Sequence, residues 1–174
     1  MTDKTKGIIK EISSYALIII AVILIRIFIF DPVRVDGPSM NNTLLNGQIL
    51  IINKFTYRKN DIKRYDIVVI KMDDKKIIKR VMGLPNEVIE IKDNVVYANG
   101  KKLDGSFTSS KAEDFKMEDI GLVKIPGDSY LVMGDNREIS LDSRYAEVGT
   151  IKKEKILGKA GLRIWPLNKI GKVK

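Results

Sequence analysis

The chain has 174 residues, 44% of them hydrophobic, which suits one domain with an appendage, or two small lobes, and leaves enough apolar material for a core. Lys and Arg number 31 against 22 Asp and Glu, a net charge of +9. The lysines are spread along the whole length, so no nucleic-acid partner is expected, whereas a basic face beside anionic membrane lipid is. There is no Cys and no His, which excludes disulfides, thiol nucleophiles, Cys-rich metal sites and imidazole as base or ligand.

Lys4, Lys6 and Lys10 precede an apolar run from Tyr15 to Phe30, extended backwards by Ile12, in which Arg26 is the one charge. Crossing a bilayer takes roughly 20 apolar residues, so this run is at the short end. Arg26 lies close enough to the end for its head to reach the interface. The following Phe30-Asp31-Pro32-Val33-Arg34 offers no small-residue cleavage site. Residues 12–30 are therefore predicted to be an uncleaved transmembrane anchor; a buried core helix is the alternative. The lysines place residues 1–11 in the cytoplasm and residues 31–174 outside the cell, as a single-pass protein of the cell membrane.

After Pro32 the texture changes to short Ile- and Val-rich runs bounded by Gly, Pro, Asn or Asp. Strands are expected at 33–36, 48–53, 66–71, 76–81, 88–92, 95–98 and 129–133, giving a mostly β, antiparallel fold with a smaller β insertion at roughly 88–128. Asn99-Gly100 signals a hairpin, because a type I′ turn needs two positive φ values. Residues 104–119 are polar and read as a loop or short helix. The tail 151–174 mixes Lys, Ile and Gly, and its Trp165-Pro166 suits a lipid interface or an ordinary core position equally.

Without His, a serine hydrolase can use lysine as base, provided the amine is neutral; burial in an apolar site favours that form. Asp36-Gly37-Pro38-Ser39-Met40 places a serine in a Gly/Pro turn. In Ile77-Ile78-Lys79-Arg80-Val81, strand alternation puts Lys79 on one face with Ile77 and Val81. A third segment, 134–144, packs polar side chains with neither helical nor strand period, so it must satisfy its own hydrogen bonds.

These segments resemble those of type I signal peptidases, in particular the small single-anchor Gram-positive form: the anchor, GPSMNNTL (37–44), RYDIVVI (64–70), IIKRVMGLP (77–85) and GDNREISLDSR (134–144), in the family's order. The resemblance covers nearly the whole chain. It implies a signal-peptidase-like fold and a membrane-bound serine endopeptidase that removes signal peptides from secretory preproteins without metal or cofactor. It also implies Ser39 as nucleophile and Lys79 as general base, with Ser140 orienting the lysine amine and Asp142 pairing with Arg144 and with Arg80. Substrate would bind as an added strand along 33–36 and 76–78, against Val35, Asp36, Gly37, Met40, Leu44, Ile77 and Ile78, with Val35, Met40, Leu44 and Ile78 lining a shallow pocket for a small side chain before the cut. The Ser39 N–H would be one oxyanion donor; Gly37 stands where some relatives add a serine hydroxyl. The chain departs from the family pattern at Asn42 (usually Pro), Tyr65 (usually Gly) and Asn86-Glu87 (usually Gly-Asp). Two other readings remain: a non-catalytic module binding exported peptides, which a missing nucleophile would favour, and a self-cleaving repressor, which would need a DNA-binding helix pair where the apolar run stands.

Overall fold

The computed structural model describes residues 3–28, 30–73, 75–105, 108 and 110–173, with the backbone alone at 3–6, 24–28, 30, 58 and 59. The side chains of Lys4, Lys6 and Arg26 therefore lie outside the description. Asp3–Phe28 forms a single helix, α1. Its apolar side chains from Ile8 to Ile23 stand 49–68% exposed, so it is not a buried core helix. Among the described residues no helix is long and apolar enough to cross a membrane.

The rest is built on strands: β1 Phe30–Arg34, β2 Ile49–Asn53, β3 Ile67–Lys71, β4 Lys76–Gly83, β5 Ile89–Lys92, β6 Val95–Ala98, β7 Lys101–Lys102, β8 Ser129–Met133, β9 Ile151–Lys152, β10 Ile156–Trp165 and β11 Gly171–Lys172. Among the described residues they form an eight-stranded sheet in the order β1-β2-β10-β3-β4-β8-β9, with β11 on β10, and a three-stranded sheet β5-β6-β7. All pairs are antiparallel. β1 begins earlier than the expected 33–36 and includes Pro32. It is an edge strand, where a residue without an N–H is tolerated. Asn99 and Gly100 have φ of 49° and 75°, the two positive values that the β6–β7 turn needs. The expected loop or short helix at 104–119 contains a 3-10 turn at Met117–Ile120.

β10 does not show a strand pattern, because Gly158 and Gly161 interrupt its alternation and the ladder shifts register just before Gly158, across Gly161 and again between Arg163 and Trp165. A Cβ at Gly158 would press on the Asn53 backbone, so glycine is what lets β10 lie against β2. Trp165, at the end of β10, is 49% exposed and is not a core residue.

Alternation along β3 and β4 sorts the core. Ile67, Val69 and Ile78 join Val35, Met40, Leu44, Leu50 and Ile52 in one buried cluster. Val68, Ile70 and Val81 join Tyr130, Val132 and Ile151 in another, with Ile77, Met72 and Val148 against it. A third cluster ties the small sheet to the large one through Met82, Leu131 and Met133, which pack with Ile89, Ile91 and Val96.

Candidate active site

Ser39 stands in a tight turn that follows β1. The turn is closed by Asn41 N–H to Pro38 O (3.0 Å) and Leu44 N–H to Met40 O (2.8 Å). Gly37 enters it at φ +88°, a backbone conformation that glycine adopts without steric cost. Buried Met40 and Leu44 pin the turn to the core, while Ser39 itself stays partly exposed. From the other side Asn136 N–H donates to Ser39 O (3.0 Å). The Ser39 N–H makes no backbone hydrogen bond among the described residues.

Lys79 projects from β4 directly opposite Val68 of β3 and is only 3% exposed. Its Nζ donates to Ser140 Oγ at 2.8 Å. Burial among apolar neighbours penalises the ammonium and pushes Lys79 down to about 8; Asp142 and Asp135 oppose the shift, whereas Arg144 and Lys75 add to it. Ser140, 1% exposed, is brought to the Ser39 turn through Gly134: a Cβ there would collide with both Ser140 Oγ and Ser39 O.

The segment 134–144 holds its shape with its own polar groups. Arg144 grips Asp142 in a fork, Nε to Oδ1 (2.8 Å) and Nη2 to Oδ2 (3.0 Å), and also donates to Arg137 O (2.7 Å). Asp142 Oδ2 accepts the Gly134 N–H (2.9 Å), and Ser143 Oγ accepts the Val132 N–H (3.0 Å). The expected pairing of Arg80 with Asp142 is corrected: the fork of Arg80 closes on Asp135, Nε to Oδ1 at 2.8 Å and Nη2 to Oδ2 at 2.7 Å. Alternation points Arg80 to the opposite face of β4 from Lys79, and there it meets the start of the segment rather than its end. Thr43 Oγ1 completes the link, donating to Asp135 Oδ2 at 2.5 Å.

Ser39 and Lys79 open into one cleft of about 240 Å³, lined also by Asp36, Gly37, Pro38, Met72, Lys75, Ile77, Ile139, Leu141 and Val148. Three of the expected substrate contacts, Asp36, Gly37 and Ile77, line it. Val35, Met40, Leu44 and Ile78 do not; they pack in the core cluster, Ile78 because it points to the other face of β4 from Ile77 and Lys79. Met72, Ile139, Leu141 and Val148 were missed. The one available signal was Ser140's position between two apolar residues in an otherwise polar segment.

The arrangement provides a buried, depressed-pKa amine, held by a hydroxyl, in one cleft with a turn-borne serine. The model of the signal peptidase family, peptidase S26, matches residues 8–165. The chain belongs to this family. Signal peptidase I P of Bacillus subtilis subsp. natto is 38% identical over 182 residues, 98% of each chain. Signal peptidase I S of Bacillus subtilis strain 168 is 36% identical over 177 residues, 98% of this chain and 96% of its own. A crystal structure of a signal peptidase I from Enterococcus faecalis V583 is 30% identical, with a TM-score of 0.51 over 57% of this chain and 97% of that one. Family membership makes the chain a serine endopeptidase, and its antiparallel β fold is the signal-peptidase fold.

Tyr65 and Asn86, two of the departures named above, have positive φ values of 70° and 67°, in the left-handed region that glycine enters without steric cost. For Tyr65 this conformation costs roughly 1–2 kcal/mol. Against that cost, its N–H bonds Val81 O (2.7 Å), its carbonyl accepts from Arg80 (3.0 Å) and its hydroxyl accepts the Asp104 N–H (3.1 Å). Glu87, beside Asn86, accepts from Arg64 Nη2 (2.5 Å) and the Leu84 N–H (2.7 Å). Asn42 has φ 60°, which a proline, locked near −65°, could not adopt.

Proposed function

We propose that this chain removes signal peptides from secretory preproteins at the outer face of the cell membrane, with Ser39 as nucleophile and Lys79 as general base. The observation that carries the dyad is the Lys79 amine, buried and held by Ser140 in the cleft that Ser39 lines. Substrate adds as a strand along 33–36 and 76–78. Lys79 takes the Ser39 proton as Oγ attacks the scissile carbonyl, and it returns that proton to the leaving amine. A water activated by Lys79 then releases the acyl group. The Ser39 N–H faces the developing oxyanion; one such donor is typically worth about 2.7–4 kcal/mol. Ser140, Asp142, Arg144 and Arg80 position the pair. No metal, cofactor or nucleic acid takes part.

Residues 12–30 anchor the enzyme and residues 31–174 form the catalytic domain, with 88–128 as its β insertion. The anchor reading is supported by the apolar sequence and the exposed apolar surface of α1. The outward orientation is supported by Lys4, Lys6 and Lys10 before it. Half-exposed Trp165 suits the lipid interface. Anchoring concentrates enzyme and signal-bearing substrate on one surface. The decisive experiment incubates the detergent-solubilised full chain with a preprotein. Cleavage by the wild type and none by Ser39→Ala, Lys79→Ala or Lys79→Arg is expected, since arginine stays protonated. A silent wild type would favour the peptide-binding reading, and an active Ser39→Ala would sink the dyad.

A further inference from the structure

Ile139 and Leu141 bracket Ser140 and have no evident structural work. Neither belongs to a core cluster, and they are 56% and 46% exposed although Ser140 between them is 1% exposed. Exposed apolar side chains are ordinary when scattered singly. These two are not scattered: they line the same cleft as Ser39 and Lys79, beside Ile77, Met72 and Val148, which pack on the core. The cleft therefore has an apolar wall that nothing in the fold covers.

The direction of the substrate decides what covers it. If the acyl side lies along 33–36 and 76–78, as the functional reading above has it, the chain reaches Lys79 along β4 from its Lys76 end. Beyond Lys79 the next wall is the segment that holds its amine, Ile139-Ser140-Leu141. We propose that Ile139 and Leu141 form the subsite for the residue immediately after the cut and give this enzyme a preference for an apolar side chain there. This inference rests on the dyad reading and deepens it.

Burying about 50 Å² of apolar surface at roughly 25 cal/mol per Å² corresponds to about a tenfold rate preference. The test uses the full chain in detergent micelles and paired preproteins with Leu or Asp as the first residue after the cut. The wild type should show kcat/KM about tenfold higher for Leu, and the Ile139→Asn/Leu141→Asn chain should bring that ratio close to one. Val123→Asn, an equally simple change at a 75% exposed valine outside the cleft, should leave the ratio untouched. An active double variant with the wild-type ratio overturns the subsite. So does an equal loss for both substrates, which is what a lost lipid or micelle contact would give. So does a ratio that responds instead to the residue before the cut. A Ser39→Ala chain that still cleaves would overturn the underlying dyad, which the subsite variants do not test.

Discussion

The pH dependence of cleavage tests the central electrostatic claim. Lys79 stands at about 8 against an ordinary 10.5. The difference of about 2.5 units is roughly 3 kcal/mol at 1.36 kcal/mol per unit. At pH 7 about one Lys79 in ten is then neutral, against about one in three thousand for a solvated lysine, roughly a 300-fold gain in usable base. The acidic limb of kcat/KM against pH should rise to a plateau with an apparent pKa near 8, because this ratio reports groups of the free enzyme. Ser140→Ala should lower turnover and leave that limb near its wild-type position, since a hydroxyl accepts from the ammonium and donates to the neutral amine. The same shift has a stability signature. Folding depresses the lysine, so both states hold the proton below about 8 and the full cost of burying the ammonium is present there. Between about 8 and 10.5 the folded state releases the proton while the unfolded state keeps it, and the Lys79 contribution relieves up to ~3 kcal/mol as pH rises. Lys79→Met should lack this relief in denaturant titrations across that window. A limb still climbing near pH 10, or a wild type and Lys79→Met with parallel stability curves, would refute the reasoning.

Gly134→Ala should cut activity roughly a hundredfold, because its methyl must displace either Ser140 Oγ or the Ser39 carbonyl; near-normal turnover would show that this contact does not hold the pair. Asp135→Asn should cost about 3–5 kcal/mol in a urea titration, the usual result of leaving one member of a buried ion pair uncompensated. The pair is almost wholly buried, Arg80 at 2% and Asp135 at 0% side-chain exposure. A loss under about 1 kcal/mol would mean that Arg80 finds other partners.

Much of the candidate site was legible in the sequence because it is local. A chain without His or Cys leaves few bases for a serine; period-2 alternation put Lys79 on an apolar face, and the fork of Arg144 on Asp142 spans only two residues. The Asn-Gly turn was equally readable, since its two positive φ values are a property of the two residues themselves. What the tertiary structure decided is everything that depends on which distant segment arrives on which face. β10 is flanked by β2 and β3, yet its alternation is broken by Gly161 and by Gly158, the latter needed for close approach to the Asn53 backbone. Strand alternation sends Ile78 into the core, and the turn around Ser39 folds Val35, Met40 and Leu44 into the same cluster, although all four are close in sequence to Ser39 or Lys79. The Asp135 partner of Arg80 lies 55 residues away, and the cleft is lined from the turn after β1, from β4 and the turn before it, and from the segment after β8. Sequence fixes the chemical character and local direction of a side chain; the packing of remote strands determines what it faces, because that choice is made by burying whole sheet faces rather than by any one residue.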